Sequence, residues 1–447
     1  MGYPQQVRWS SQSSLRCKRT CGVLQPARLG DASGAPHIRL WTRPAPFRMS
    51  IAPDQSPAAA SSATAPPSDA VLWLLGVTAF LGVYSPQPLL PTLARDFGVG
   101  VAEAAGLVSA LAFGIAIAAP FVGAWSDTHG RRRVVLTSAW LTAILTASTA
   151  FSPNPTWLLA LRFFQGVATA GMLTTAMAYS AEESPSRPGA ALAGYVTGTV
   201  LGGFTGRLIA GLVEPLAGWR GALAALGLVS LLAASILTWK LPPSVHFRPV
   251  LGWSVSRMLT PLRDRRLIAA YIAGFGVLFS LVSSFTYMTF RLDAPPFGLG
   301  PTSLSMLFVV YLLGLVFTPI GGRALDTRGH LWVMCVGMGV SIVGVLLTLP
   351  DWLPTIILGL GAASCGVFVA QAAASSFVGA RATAGRAGAS GLYLTAYYLG
   401  GSAGAVAPAG LWHWGGWPAV ATLTIAVQLL VVLSALTGWR GVRTGSG

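Results

Sequence analysis

The sequence predicts an all-α membrane protein of twelve transmembrane helices arranged as two six-helix pseudo-repeat halves. Three observations lead there. Of 447 residues, 53% are hydrophobic and only 9% charged, and the mean hydropathy is +0.64. A soluble domain carries about 25% charged residues, so this chain lacks the charge to coat a water-facing surface. Apolar runs of about 20 residues, each long enough to cross a bilayer, recur along the chain. Landmarks of the first half also return in the second at an offset of 198 or 199 positions.

Residues 1–68 are rich in Arg, Ser, Pro and Ala and have no apolar periodicity, so a disordered extension is expected. An Arg- and Ser-rich, acid-poor start fits either an organellar transit peptide or an over-extended translation start with Met49 as the true initiator. The first half, 69–239, holds apolar runs near 70–93, 102–124, 133–152, 156–179, 190–213 and 219–239. A polar linker over 240–266 carries Lys240, Arg248, Arg257, Arg263, Arg265 and Arg266. The second half, 267–439, has runs near 267–290, 302–322, 331–349, 353–377, 387–411 and 417–437, and a tail of 440–447 follows.

The net charge of +16 could suggest nucleic acid, but the basic residues gather in the extension and in short loops, without a basic stripe interleaved with aromatics. Lys and Arg in short loops orient membrane helices. With the N-terminus inside, the inner loops and tail from residue 49 hold Arg131, Arg132, Arg133, Arg187, the six linker residues, Arg323, Arg328, Arg381, Arg386, Arg440 and Arg443. The outer loops hold only Arg95, Arg220 and Arg291. Sixteen against three predicts that both termini are cytoplasmic. Cys335 and Cys365 read as small core residues, and Cys17 and Cys21 lack partners for a zinc site, so no metal and no cofactor is implied.

The repeat is explicit. Gly123-Ala-Trp-Ser-Asp127-Thr-His-Gly130-Arg131-Arg132 follows the second run, and Gly322-Arg-Ala-Leu-Asp326-Thr-Arg-Gly329-His330 follows the eighth, 199 positions on. Gly218-Trp219 returns as Gly416-Trp417, 198 positions on. Parallel repeats related by an axis along the membrane normal build transporters around a midplane site.

The segment from Gly123 to Arg133 resembles the loop motif of the major facilitator superfamily, with Thr128 where the family most often has Arg. Arg162-Phe-Phe-Gln165-Gly166 resembles the family's Arg-x2-Gln-Gly motif, and Gly198-x3-Gly202-Gly203-x2-Gly206 its glycine-rich antiporter motif without the proline. Longer stretches, including Gln87-Pro88-Leu89-Leu90-Pro91 and Tyr397-Tyr398-Leu399-Gly400, resemble bacterial inner-membrane members of the drug or sugar efflux group. The resemblance spans 70–440. It implies the family's fold, secondary efflux of a small organic solute driven by proton exchange, a bacterial inner-membrane location and a functional monomer. It also implies that Asp127 acts as a latch across the seam between halves, accepting from helix-terminal amides. The alternative is a solvated turn whose arginines only set topology.

Arg162 and Arg207 are the ionisable residues that fall inside runs, away from their ends. An intramembrane charge usually faces the bundle interior and marks function. Arg162, with Gln165, is therefore a coupling or substrate candidate. Arg207 is a structural or gating candidate, expected to snorkel toward Glu214 seven residues on. No acid falls mid-run, so proton coupling runs through Arg162 and water, through a rim acid, or not at all. Tyr84, Gln87, Gln165, Tyr179 and Gln371 are candidates to line a polar cavity or to act as helix-to-helix glue. The two buried arginines keep open uptake or facilitated diffusion of an anionic metabolite. No His cluster, Ser/His/Asp set or Walker lysine supports an enzyme or an ATP drive.

Overall fold

In hydrocarbon a backbone must satisfy its own N–H and C=O groups, which leaves a chain this apolar the helix as its solution. Every regular element among the described residues is helical. The computed structural model describes residues 66–247, 259–382 and 386–440, all within the unit Ser62–Gly447. Most of the expected N-terminal extension with Met49, the linker residues Arg248 and Arg257, and Arg443 lie outside the described residues.

The elements are α1 (Asp69–Phe80), a 3-10 turn at Gln87–Leu89, α2 (Leu90–Phe97), α3 (Val101–His129), α4 (Arg131–Thr149), α5 (Pro155–Glu182) and α6 (Pro188–Lys240). After the linker come α7 (Arg265–Asp293), α8 (Pro301–Met306), a 3-10 stretch at Leu307–Leu312, α9 (Leu313–Arg328) and α10 (His330–Leu347). The chain ends with α11 (Leu353–Arg381), α12 (Arg386–Val406) and α13 (Ala409–Gly438). Local signals set several starts. Asn154 accepts from the Trp157 N–H at 2.8 Å with Pro155 in the first helical position, and Asp264 accepts from the Arg266 N–H at 2.9 Å.

Three expected runs differ from what is built. The run expected at 70–93 is broken between α1 and the 3-10 turn, where Pro86 and Pro88 remove two helix donors. The runs 190–213 and 219–239 are both built, and within α6 they are divided by non-helical backbone at Gly218, whose φ of 65° suits glycine. At 1.5 Å per residue a straight helix of 53 residues would be about 80 Å long, so one bilayer cannot hold α6 without the break at Gly218. The eighth run passes through the 3-10 stretch, the run expected at 387–411 is interrupted between Val406 and Ala409, and the last begins after non-helical backbone at Gly415 and Gly416, as expected.

Seven segments among the described residues are long and apolar enough to span a membrane: α3, α6, α7, Pro301–Arg328, α10, α11 and α13. The other expected spans fall short because α1 has only 12 residues and because α4, α5 and α12 carry polar side chains along their length.

Helices before residue 247 pack mainly on one another, as do those after 259, and α3 against α12 is the largest contact between the two sets. α7 is the most enclosed span, 83% of its apolar window being buried, against 33% for α13. Glycine sets the closest approaches. A Cβ on Gly202 would lie 2.5 Å from Val77 O, and one on Gly206 would lie 1.9 Å from Leu81 O. Gly400 and Gly404 stand in the same relation to Phe275 O and Phe279 O, at 1.9 and 2.5 Å. Small residues let membrane helices touch backbone to backbone.

Candidate functional site

The break after α1 creates the first polar centre. Pro86 has no N–H to give Gly82 O, and the Gln87 N–H turns to Tyr84 O at 3.1 Å, leaving Val83 O unserved. Arg162 on α5 supplies the missing donors. It donates to Gly82 O (2.8 Å), Val83 O (2.5 Å), Leu107 O on α3 (3.2 Å) and Gln165 Oε1 (2.7 Å). Gln165 passes the chain on, donating to Thr146 Oγ1 on α4 at 2.7 Å. Arg162 is 3% exposed, and its guanidinium is held inside the first helix set by backbone carbonyls. Stitching a helix break costs less than leaving several carbonyls unpaired, at about 1–3 kcal/mol each.

The second centre is Arg207 on α6, 2% exposed. It does not reach toward Glu214, which is a correction to the sequence reading. Nε and Nη2 both donate to Gln87 Oε1, at 2.9 and 2.7 Å, and Nη1 donates to Gly203 O at 2.6 Å. The guanidinium lies among three rings, with centroids at 5.1 Å (Tyr84), 4.5 Å (Phe308) and 4.8 Å (Tyr311). Tyr84 comes from the break after α1, and Phe308 and Tyr311 come from the 3-10 stretch before α9. Snorkelling is defeated because the flat cation finds ring faces closer than water. All three bonds go to neutral oxygens, so the charge has no carboxylate against it. Gln87 Nε2 donates onward to Thr286 Oγ1 on α7 at 3.1 Å, which ties the cage to the second helix set. The Tyr84 hydroxyl is buried and has no hydrogen-bond partner among the described residues.

The third centre is the motif loop. Gly130, with φ 96°, turns the chain from α3 into α4. Arg131 then pairs with Asp127, donates to Ser126 Oγ at 2.6 Å, and forks onto Glu182 at the end of α5 through Nε (3.1 Å) and Nη2 (2.9 Å). Arg132 donates to Leu241 O and Thr238 O, at 2.9 and 3.0 Å, fastening the returning end of α6. Asp127 is thus held within its own turn in this structure. Gly329, with φ 81°, makes the matching turn, but no such network forms there. His330 stands where Arg131 does, and it bonds Ser376 Oγ at 3.2 Å while Asp326 is exposed. Gly123 and Gly322 are not crowded: the nearest atom to a Cβ on Gly123 is 4.0 Å away, and nothing lies within 4 Å at Gly322. Nearby, burial alone would raise the Asp264 carboxyl, but the Arg266 N–H and the Arg381 guanidinium hold it below its ordinary value.

Of the other candidates, Tyr179 donates to Pro242 O at 2.8 Å and Gln371 accepts from the Tyr393 hydroxyl at 2.8 Å. Both are links between elements. Contacts between the two helix sets include the Arg95–Asp293 ion pair, Thr302 Oγ1 to Gly211 O (2.8 Å), Ser109 with Ser402 (2.7 Å) and Thr395 Oγ1 to Ala116 O (2.9 Å). Phe308, Tyr311 and Thr286 were not picked out from the sequence. None of the three carried a signal of its own, since each lies in an apolar run. A cavity of about 610 Å³ beside α9 and α10 is lined by apolar side chains such as Phe317, Ile320 and Val336, and it offers no polar anchor.

A helical bundle with buried arginines, a broken first helix and glycine-paved seams is the build of a polytopic membrane transporter rather than an enzyme. Residues 72–295 match the family profile of the Major Facilitator Superfamily. The chain is 34% identical over 361 residues to the uncharacterized MFS-type transporter YybF of Bacillus subtilis, covering 79% of this chain and 89% of that protein. It is 33% identical over 374 residues to the inner membrane transport protein YnfM of Escherichia coli, covering 83% and 89%. The fold also superposes on the nucleoside transporter NupG with a TM-score of 0.69 at 14% identity, over 83% of this chain and all of that one. The chain belongs to the major facilitator superfamily.

Proposed function

We propose that this chain is a secondary active transporter that exports a small organic solute in exchange for protons, by rocking two six-helix halves about a central site. The observation that carries this reading is the matched set of contacts between and within the halves. Gly202 and Gly206 seat on Val77 and Leu81, and 198 positions later Gly400 and Gly404 seat on Phe275 and Phe279 in the same way. Pairs such as Gln87–Thr286 and Arg95–Asp293 join the halves near the end that carries Asp293. At the motif end, Asp127–Arg131–Glu182 and Asp264–Arg381 each stay within one half. A carrier closed on one side and free to part on the other has this distribution of contacts.

The basic-residue count puts the motif end in the cytoplasm, and the likeness to an inner membrane transport protein supports a bacterial inner membrane. Asp127 and Arg131 are then the latch that holds one state, with Glu182 as its second anchor. Exchange rather than uptake is supported by the glycine run of α6, which resembles an antiporter motif. Among the described residues the acids lie at helix ends, so protons would be handled at a rim. The protein would work as a monomer.

The experiment is substrate-dependent proton movement with purified protein in proteoliposomes, screened across drugs, sugars and organic acids under an imposed pH gradient. Solute movement opposite to proton movement supports the reading. Solute movement in the same direction as protons, or movement indifferent to the gradient, removes exchange.

A further inference from the structure

We infer that Arg207, Gln87 and Tyr84 form an anion site that takes the carboxylate of an aromatic or apolar organic acid, which rests on the carrier reading above and names the class of its substrate. The charge of Arg207 is buried, and its bonds end on Gln87 Oε1 and Gly203 O, both neutral. Gln87 Oε1 takes two of the guanidinium's donors, as one oxygen of a carboxylate would. Two N–H groups of the guanidinium remain unused. The Tyr84 ring lies 5.1 Å from the same guanidinium carbon, and its hydroxyl is buried without a partner among the described residues. A cation without a counter-ion beside an idle hydroxyl donor is a set of groups that one carboxylate completes.

The surroundings choose the rest of the molecule. Phe308 and Tyr311 wall the guanidinium, and Phe285 stands against Tyr311 edge to face, with centroids 4.6 Å apart. Rings in this packing accept a flat or apolar body and give a sugar little to bond. A cationic solute meets Arg207 and is repelled. Two irregular stretches also supply the site, the break after α1 and the 3-10 stretch at Leu307–Leu312. Irregular backbone at membrane depth is tolerated where it is enclosed by protein or lines a cavity. The site draws from both halves and bridges them through Thr286, so an anion bound to Arg207 in place of Gln87 would release one of the contacts that closes the carrier.

The test measures the thermal unfolding midpoint of the full chain in nanodiscs with three acids (benzoate, phenylacetate and hexanoate), at constant ionic strength. The corresponding amides and benzylammonium are the controls. At least one acid is expected to raise the midpoint by several degrees while its amide and benzylammonium leave it unchanged. Arg207→Gln should abolish the shift, and Tyr84→Phe should weaken the affinity by roughly tenfold. If no acid shifts the midpoint, or an amide matches its acid, or Arg207→Gln keeps the full response, the site is not an anion site. Should Arg207→Gln fail to fold, the comparison of acid with amide on the unaltered protein decides alone. Failure here is separable from failure of the carrier reading. Proteoliposomes that move a neutral or cationic solute while no acid binds sink only the anion site, and acid binding without any solute movement sinks only the carrier.

Discussion

Gln87 donates its side-chain N–H to Thr286 Oγ1 at 3.1 Å, and the two residues are 199 positions apart, the same offset that separates Asp127 from Asp326. Arg95 and Asp293, which also pair, are 198 apart. Both contacts join the helices before residue 247 to those after 259, and Arg207 is tied to the first of them through Gln87. One sets an amide against a hydroxyl, the other a cation against an anion.

Gln87→Glu is expected to stabilise the protein and slow it. The new carboxylate would meet Arg207 at the present 2.7 and 2.9 Å and turn a neutral acceptor into a charged one, for a gain of about 1–2 kcal/mol after its own desolvation. The unfolding midpoint should rise by a few degrees while turnover falls tenfold or more, because a built-in counter-ion competes with any anionic solute. A variant that is stabilised and transports at the unaltered rate would show that Arg207 does not meet the solute.

Arg162 should behave as a structural residue. Arg162→Leu removes donors from Gly82 O, Val83 O and Leu107 O; Val83 O is left without one, at about 1–3 kcal/mol, while Gly82 O keeps Ser85 Oγ and Leu107 O its place within α3. The yield of monodisperse protein should fall sharply. Arg162→Lys, with three donors but no planar fork, should recover part of that yield, and transport per folded molecule should stay within about twofold. A folded Arg162→Gln protein with an unchanged midpoint and no transport would restore the coupling role suggested by the sequence.

The two arginines show how far the sequence could be read. Each stands in an apolar run without an acid nearby, and by pattern they are alike. What separates them is backbone elsewhere in the chain. Pro86 lies four residues after Gly82 and orphans the carbonyl that Arg162 serves, whereas Arg207 is captured by rings that arrive from residues 308 and 311. The helices and the turns at Gly130 and Gly329 were legible because they depend on composition and local spacing. The break after α1 was not, because proline is common within membrane helices whose neighbours make good the lost bond. Nor was the cage, since Phe308 and Tyr311 sit in a run whose faces toward lipid and toward protein are equally apolar.

The loop-motif glycine Gly322 should differ from the helix-packing glycines Gly206 and Gly404. Gly206→Ala would put a methyl 1.9 Å from Leu81 O, and Gly404→Ala would put one 2.5 Å from Phe279 O. Backbone cannot yield as a side-chain tip can, so each should cost about 2 kcal/mol or more. Gly322→Ala meets nothing within 4 Å inside α9 and should be neutral or stabilising by up to about 1 kcal/mol. Thermal midpoints of the three variants in one detergent check the order. If Gly322→Ala proves as damaging as Gly206→Ala, the motif glycine has a role in another state of the carrier.

The Arg95–Asp293 pair is expected to bias the closed end without being needed to close it. Arg95 is 60% exposed and Asp293 18%, and an ion pair this open to water is worth about 0–1 kcal/mol. At that strength its loss shifts the populations of the two states by no more than about fivefold, too little to abolish transport. Beneath it, Gly211 packs against Ser305, which is fully buried, and Thr302 donates to Gly211 O, so Ser305 is sealed while that end stays closed. In a background with the native cysteines replaced, Ser305→Cys should label slowly with a membrane-impermeant maleimide added from outside. Adding Arg95→Ala should raise the labelling rate by about two- to fivefold. The exchanged pair Arg95→Asp with Asp293→Arg should bring the rate back down, because the charges face each other again. A rate that ignores both changes would mean the pair plays no part in gating. Labelling only from the cytoplasmic side would overturn the orientation as well.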